Sequence, residues 1–339
     1  MKRGAAGQTP STYTDQQLIL AARLYYIDGM SQAEIGTFVR VSQSKVSRML
    51  AIAQQRGLVR ISVPEYESRN KALETSLRKR FDVEAIVVHS IPGVEVKPLR
   101  QILGYFAAPV VRQWFQPRSL IVLAGGRTVQ PLVEQMQPVD GISGLRVAQG
   151  MGHIDATPGP FDAAELCRSF ARAWNGSVLS LNAPLLFPDK ESCQKFMRLP
   201  QIQDVLRTIA RADVALVGIG TLEQSVLVDR AIYSKSELNE LRHAEAAGEI
   251  FGRFYDHRGV ECRTSLRDRT LSLELNQLRQ ITRRVGVVVG ADRAPAVAAA
   301  IKGNLINTLV IDEAGATALL DTTQGKAAGT SSRSTQSKS

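Results

Sequence analysis

Hydrophobic residues recur at helical spacing twice between residues 31 and 55, and a short break separates the two runs. Ser31 and Glu34 can form a capping box that starts the first helix, and Ser42 can cap the second. The apolar positions of the two helices are Ala33, Ile35 and Phe38, then Val46, Met49, Leu50 and Ala53. Two short helices joined by a tight turn predict a helix-turn-helix.

The polar side of the second helix carries the side chains that the major groove of DNA requires. Short side chains near a helix N-terminus can donate and accept hydrogen bonds at base edges, which suits Gln43, Ser44 and Ser47. Basic side chains nearby would mainly bind phosphate. The predicted DNA-binding residues are Ser42, Gln43, Ser44, Lys45, Ser47, Arg48 and Arg60. The alternative is a helical packing module with a solvated polar face.

A further element is predicted directly after this helix. Gly57 can end the helix in the left-handed conformation, and residues 58–63 alternate apolar and polar side chains as an edge strand does. We expect this strand to be the wing of a winged helix-turn-helix.

From Val83 the pattern changes to short apolar runs that alternate with amphipathic stretches. The predicted strands are 85–88, 120–123, 145–148, 214–217, 285–289 and 308–311. The predicted helices between them are 99–115, 128–136, 163–175, 202–211 and 294–302. This alternation predicts a Rossmann-like α/β domain, with a mostly parallel sheet covered by helices on both faces.

These patterns divide the chain into five segments. They are a flexible arm at 1–13, a DNA-binding domain at 14–64, a connecting helix at 65–82, an α/β effector domain at 83–322 and a disordered tail at 323–339. The tail is rich in Ser, Thr and Gly and contains no apolar run. The apolar seam of the connecting helix either pairs two chains or packs on its own second domain.

Charge favours a polyanionic partner. The 339 residues have a formal net charge of +10, and residues 1–64 hold eight basic against three acidic side chains. A basic segment that coincides with a groove-shaped motif points to double-stranded DNA. No apolar run is long enough to cross a bilayer, and residues 1–11 lack the apolar centre of a signal peptide. We therefore expect a soluble, cytoplasmic protein without a membrane partner.

The cysteines and histidines are scattered. Cys167, Cys193 and Cys262 are far apart and odd in number, which argues against a disulfide framework and favours buried reduced thiols. The four histidines show no metal-ligand spacing with them or with one another. No metal site and no cofactor is predicted.

Two loops that follow predicted strands are rich in glycine, and ligands of parallel sheets bind at such loops. The first loop consists of Gly125, Gly126, Arg127 and Thr128, and the second contains Gly218, Gly220 and Thr221. Backbone amides, a hydroxyl and a guanidinium could hold an anion at the first loop. It matches neither a Walker phosphate loop nor the dinucleotide-binding GxGxxG pattern. Such turns are also common in unligated α/β proteins, so a structural role stays open.

A third candidate is Glu249, in a stretch (248–256) that is predicted to be a turn leading into a strand. Its carboxylate either accepts hydrogen bonds from ligand hydroxyl groups or is an ordinary solvent-exposed turn residue.

The order and spacing of these motifs resemble those of the SorC family of bacterial transcriptional regulators, which includes deoxyribonucleoside, glycolytic-gene and autoinducer-responsive repressors. The resemblance runs from about residue 15 to 321. The segments that carry it are LYYIDGMSQAEIGTFVRVSQSKVSRMLAIAQQRGLVRISV, GGRTV, ADVALVGIGT, GEIFGRFYDHRG and VVVGADRAPAVAAAIKGNLINTLVIDEAGATALL.

The resemblance implies a DNA-binding domain joined to an effector domain similar to sugar-phosphate isomerases and glucosamine-6-phosphate deaminases. It implies a sugar, polyol or sugar phosphate as effector and a homodimer or homotetramer bound to a palindromic operator. The residues that match effector-facing positions of the family are Gly125, Gly126, Arg127, Thr128, Gly218, Gly220, Thr221, Glu249 and Arg293.

Arg293 is a departure from the family pattern, because the family commonly has lysine at this position. Arginine keeps the positive charge and can grip an anion in a fork, but it cannot form a Schiff base with a sugar aldehyde. Arg293 thus favours anion binding, although a simple pair with Asp292 is also open.

An isomerase or deaminase-like enzyme is the alternative function. Such catalysis needs a carboxylate or histidine beside the substrate carbon, and the candidate acids are Asp155, Asp162, Asp312 and Glu313. No histidine accompanies them at a convincing position, and an isomerase has no use for a helix-turn-helix. The sequence therefore predicts a transcriptional regulator of a carbohydrate-utilisation operon. The resemblance implies a repressor, since repression that the effector relieves is the commoner arrangement in that family.

Overall fold

A computed structural model of the chain describes residues 13–91, 93–155 and 157–322. The predicted arm, apart from Tyr13, and the predicted tail lie outside these residues. The chain divides into two compact units, and the division falls between Tyr66 and Glu67. In the described ranges no helix combines the length and the apolarity that a membrane crossing demands.

The N-terminal unit is built from three helices. They are α1 (Asp15–Tyr26), α2 (Gln32–Phe38) and α3 (Gln43–Gln55). The capping box of α2 is present, because Ser31 Oγ accepts from the Glu34 amide at 3.3 Å and Glu34 Oε2 accepts from the Ser31 amide at 2.7 Å. Ile35 is fully buried, whereas Phe38 is 67% exposed. Ala33 is exposed as well. The prediction of Ala33 and Phe38 as apolar contacts of α2 is therefore wrong, since both face solvent.

The predicted wing strand is absent. Residues 58–63 form no β-bridge with any described residue, and Ile61 and Val63 are 60% and 79% exposed. The amides of Leu58 and Val59 both donate to the Ala53 carbonyl, which continues the end of α3 rather than starting a ladder. Alternating apolar residues predict a strand only where a second strand is available to pair with it.

The second unit is an α/β domain. Its strands are β1 (Glu84–Val88), β2 (Leu120–Leu123), β3 (Arg146–Gln149), β4 (Ser177–Leu179), β5 (Val214–Gly218), β6 (Ala246–Ile250), β7 (Arg253–Asp256), β8 (Arg283–Val288) and β9 (Thr308–Asp312). Its helices are α4 (Lys71–Phe81), α5 (Val96–Val111), α6 (Val129–Gln135), α7 (Ala163–Ala173), α8 (Lys190–Met197), α9 (Pro200–Ile209), α10 (Val226–Asp229), α11 (Lys235–His243), α12 (Leu275–Leu278), α13 (Ala294–Lys302) and α14 (Glu313–Asp321).

Seven strands form one parallel sheet in the order β1-β9-β8-β5-β2-β3-β4. Side chains alternate across it, so that Val122 packs in the core on one face and its neighbour Leu123 in the core on the other. Helices α5, α6 and α7 cover one face, and α4, α13 and α14 cover the other. The prediction of a parallel sheet with helices on both faces is confirmed.

The segment that precedes this sheet differs from its prediction. The helix predicted from residue 65 begins at Lys71, where Asn70 Oδ1 accepts from the Leu73 amide at 3.0 Å. Residues before Asn70 are extended, because Arg69 forms an antiparallel bridge with Val88. Pairing with β1 overrides the helical preference of this charged stretch.

Gly104 allows α5 to approach α6 closely. A Cβ atom there would lie 2.6 Å from the Pro131 carbonyl carbon and 2.7 Å from the Leu132 amide nitrogen. Backbone cannot yield as a flexible side chain can, so Gly104→Ala should cost ~1–3 kcal/mol of unfolding free energy despite the better helix propensity of alanine. Urea unfolding measures this, with Gln101→Ala on the exposed side of α5 as control. Equal stability of the two variants would contradict the close approach.

Candidate effector site and DNA-binding surface

A cavity opens at the edge of the sheet where the parallel strands end. It contains about 640 Å³ of empty space, including its mouth toward solvent. The loops after β2 and β5, the turn between β6 and β7, and the start of α13 form its walls. The predicted effector residues that line it are Gly125, Gly126, Arg127, Thr128, Gly218, Gly220, Glu249 and Arg293. Thr221 is the one predicted effector residue that is not among the lining residues.

The loop after β2 presents polar groups to this cavity. Arg127 forms an ion pair with Asp229, with 2.8 Å between Nη2 and Oδ2. Thr128 precedes α6 and its hydroxyl makes no capping hydrogen bond. A guanidinium and a hydroxyl therefore stand beside the glycines, although the guanidinium already has one acidic partner.

The loop after β5 is joined to the hairpin of β6 and β7. The Gly220 amide donates to the Glu249 carbonyl at 3.0 Å, and the Glu249 amide donates to the Gly220 carbonyl at 2.9 Å. A Cβ atom on Gly220 would lie 2.7 Å from Glu249 Oε2. Glycine at 220 thus lets the Glu249 carboxylate lie against the loop. The predicted turn and strand at 248–256 are in fact both strands of this hairpin.

The carboxylate of Glu249 is largely enclosed by protein. Its Oε1 accepts from the Gly252 amide and its Oε2 accepts from the Ser225 hydroxyl at 3.3 Å. Burial raises the pKa of Glu249 to about 7, and these two hydrogen bonds oppose the rise. The open alternative of a solvent-exposed turn carboxylate is therefore wrong. Glu249 thus presents to the cavity a carboxyl group whose pKa lies near neutral pH.

Arg293 also lines the cavity. Arg293 is only 6% exposed, and its Nη1 donates to the Val289 carbonyl at 2.9 Å and lies 3.6 Å from Asp292 Oδ2. The pair with Asp292 that the sequence left open is thus present but long. Burial lowers the pKa of Arg293, and the charge of Arg127 lowers it further while Asp292 raises it.

Arg100 is a lining residue that the sequence did not reveal. It lies on α5, and its buried Nε has no hydrogen-bond partner among the described residues. Burial lowers the pKa of Arg100, and the nearby charges of Arg127 and Arg293 lower it further. A basic residue on an amphipathic helix normally points to solvent, so no local signal distinguished this one. The cavity thus has three guanidinium groups that repel one another, an arrangement that an anion would relieve.

Asp162 and Arg230 close another side of the site. Asp162 is buried and its Oδ1 lies 3.0 Å from Arg230 Nη1, which also pairs with Asp155 at 2.8 Å. The Arg230 guanidinium stacks over the ring of Phe161 at 4.8 Å. Both acids that the enzyme alternative considered in this loop are therefore ion-paired with the same arginine.

The predicted base-contacting residues lie on an exposed surface of α3. Gln43, Ser44, Lys45, Ser47 and Arg48 are all exposed, while Val46, Met49, Leu50 and Ala53 are buried. Ser42 caps α3 by accepting from the Lys45 amide at 3.3 Å, and its Oγ lies 2.9 Å from Ser44 Oγ. Arg60 is also exposed, but it lies in the extended segment after α3 rather than on a strand.

The remaining reactive side chains form no site in the described part of the chain. All three cysteines are buried and free, as predicted. Across residues 13–91, 93–155 and 157–322, no group of three or more His, Cys, Asp or Glu side chains is arranged to hold a metal ion.

Comparison with known proteins assigns the family. The sugar-binding domain family model (Sugar-bind) matches residues 67–321. The chain belongs to the SorC family of transcriptional regulators. It is 30% identical over 316 residues to the transcriptional regulator LsrR of Enterobacter sp. (strain 638), covering 91% of this chain and 94% of that protein. It is 29% identical over 308 residues to the deoxyribonucleoside regulator of Bacillus subtilis (strain 168), covering 90% and 98%.

The fold agrees with this family assignment. The full-length sorbitol operon regulator SorC from Klebsiella pneumoniae superimposes with a TM-score of 0.73 at 26% identity, covering 91% of this chain and all of that chain. The match includes both units. This SorC-family chain is therefore a transcriptional regulator with a sugar-binding domain, and the relatives favour regulation over catalysis.

The raised pKa of Glu249 predicts a pH-dependent stability. Its folded pKa of about 7 lies above the ordinary value of 4.5, so the folded state holds this proton more tightly than the unfolded state. The contribution is present in full below about pH 4.5 and is lost as the pH rises through about 7. The melting temperature of the unmutated protein minus that of Glu249→Gln should therefore fall across this interval.

The matched control is Glu245→Gln, which changes an exposed glutamate beside the same hairpin. A melting-temperature difference for Glu249→Gln that is constant from acid to neutral pH would show that the carboxylate is not held near neutrality.

Proposed function

We propose that this SorC-family regulator represses a carbohydrate-utilisation operon and leaves its operator when a sugar, polyol or sugar phosphate enters the cavity. It binds double-stranded DNA as a homodimer or homotetramer, because two copies of α3 are needed to read two half-sites. The observation that supports the proposal is that two glycine loops, Glu249 and Arg293 line one cavity although they are far apart in sequence.

The chemistry of the walls favours a phosphorylated effector. Glu249 can accept hydrogen bonds from sugar hydroxyl groups, and guanidinium groups grip phosphate in a bidentate fork. Burial lowers the pKa of Arg100, and the charges of Arg127 and Arg293 nearby lower it further. A phosphate bound near them would offset this repulsion, whereas a neutral polyol would not.

A sugar-phosphate isomerase or deaminase is less well supported. No described residue that lines the cavity is a histidine, and Asp162 is paired with Arg230. Asp312 is fully buried against the Gly290 amide, and Glu313 binds Asn70. The four acids that the sequence offered for a proton shuttle are thus engaged in structural contacts.

A thermal-shift screen tests the effector class. The panel is glucose, ribose and sorbitol, each with its terminal phosphate monoester. A ligand at 100 times its Kd adds ~2.7 kcal/mol of stability, which raises the melting temperature measurably. Shifts confined to phosphorylated members support an anion site. Shifts confined to free sugars or polyols show that the loops bind hydroxyl groups and that the arginines have another role.

Arg293→Ala should abolish the thermal shift with the best panel compound and leave the affinity for DNA unchanged. The side chain is buried at the cavity wall, so the variant loses the guanidinium that would bind the anion, and water in its place binds an anion poorly. Arg293→Lys keeps the charge and should retain part of the shift. The exposed Arg258→Ala is the matched control. A full shift in Arg293→Ala would exclude this residue from the site.

Gln43→Ala combined with Ser44→Ala should relax sequence selectivity. A duplex recovered from a random pool by repeated binding and amplification provides the operator, and its affinity is compared with that of scrambled duplexes. Each lost base contact costs ~1–3 kcal/mol of discrimination. Arg48→Ala, a predicted phosphate contact, should weaken both duplexes alike and flatten the salt dependence. If the double variant of Gln43 and Ser44 also bound both duplexes equally more weakly, with a flatter salt dependence, the two residues would be phosphate contacts.

A further inference from the structure

A short strap joins the two units. Residues 67–70 lie in the second unit and follow directly on Tyr66, where the N-terminal unit ends. The His89 amide donates to the Ser68 carbonyl at 3.0 Å, and the Asn70 amide donates to the Val87 carbonyl at 2.8 Å. The strap is thus an added extended segment at the carboxyl end of β1. Its position fixes the point at which the chain enters the second unit.

Glu313, the first residue of α14, holds this strap from the other side. Its Oε1 accepts from Asn70 Nδ2 at 2.7 Å, and its Oε2 accepts from the Ser90 amide at 3.2 Å and lies 3.4 Å from His89 Nδ1. The hydrogen bond from Asn70 is the largest cause that lowers the pKa of Glu313. One carboxylate therefore bridges the strap and the end of β1.

Asp312, the residue before it, contacts the turn at Gly290 as well as Ser90. It is fully buried, and its Oδ1 accepts from the Gly290 amide at 2.8 Å while Ser90 Oγ lies 3.5 Å from its Oδ2. Gly290 begins the turn that carries Arg293 into the cavity wall. Neighbouring carboxylates thus contact the effector-side turn and the strap.

We propose that the Asp312–Glu313 pair transmits effector binding to the strap and so changes how the DNA-binding helices are held. This inference rests on the proposed function, because it assigns the regulation of the same cavity. Movement of Arg293 onto an anion displaces the Gly290 turn, Asp312 follows its hydrogen bond, and Glu313 moves with it. Asn70 then either moves with Glu313 or loses its hydrogen bond to Glu313, and the strap takes a second position.

Such linkage requires only that the effector bind one arrangement more tightly than the other. In allosteric proteins this coupling changes the affinity for the second ligand by ~5- to 150-fold. The hydrogen bonds of Asp312 and Glu313 connect the cavity wall to the strap. A coupling route needs such a physical connection in addition to proximity.

The first experiment separates binding from coupling. Glu313→Ala removes the bridge, and Asn70→Asp keeps the oxygen that caps α4 but sets a second carboxylate against Glu313. Asp321→Ala, an exposed carboxylate at the far end of α14, is the control. Each full-length variant is titrated with the selected duplex, with and without the panel compound that gives the largest thermal shift.

We expect both strap variants to keep the thermal shift and to bind the duplex, while the compound changes their duplex affinity by a factor close to one. The control should respond as the unmutated protein does. An unmutated response in Glu313→Ala and Asn70→Asp would overturn the proposal.

The second experiment needs no sugar, so it decides the matter even if no panel compound binds and the proposed effector class fails. Hydrogen exchange is measured on peptides that cover residues 66–74 and 86–91 in Arg293→Gln, with Arg258→Gln as control. Arg293→Gln should speed exchange in both peptides at least severalfold, as should Glu313→Ala. Unchanged exchange in these peptides, with altered exchange around Gly290, would show that the cavity and the strap are independent.

Discussion

The parallel course of the seven strands is the constraint on which the rest of the structure depends. Parallel neighbours must all end at the same edge of the sheet, so every turn from a strand into the next helix emerges there. The loops after β2, β5 and β8 build the cavity at that edge. The strap pairs with the end of β1 at the same edge. The cavity and the strap therefore lie at the same end of the sheet as a consequence of topology.

Burial of the polar groups around the cavity lowers the stability of the folded state. A buried carboxylate and buried guanidinium groups lose hydration, and each must be compensated by hydrogen bonds. Glu249 receives the Gly252 amide and Arg293 reaches the Val289 carbonyl, yet the buried Nε of Arg100 has no partner among the described residues. Such a donor is costly to bury without a partner, and an anion at the proposed effector site would supply one.

Features that depend on local pattern could be predicted from the sequence. The apolar runs of β2 and β5 and the glycines that follow them place strands and loops by themselves, and Ser31 and Glu34 fix the start of α2. Features that depend on a distant partner could not be predicted. The start of α4 is set by the bridge between Arg69 and Val88.

The absence of the wing strand and the presence of Arg100 in the cavity wall could not be predicted for the same reason. Residues 58–63 alternate as a strand does, but no second strand lies beside them among the described residues. Arg100 sits on an ordinary amphipathic helix, and only the packing of α5 beside the loop after β2 brings it to the cavity. Long-range pairing and burial decided both cases, and neither leaves a trace in local periodicity.

The adjacent acids Asp312 and Glu313 have structural contacts that leave little room for a catalytic role. As a free pair they would suit proton transfer, but Asp312 accepts from the Gly290 amide and Glu313 accepts from the Asn70 side-chain amide. Asp312 ends β9 and Glu313 begins α14, so the two side chains are fixed to a rigid junction. In the proposed coupling, the backbone that these consecutive residues share is the link that carries a displacement of the Gly290 turn to the strap.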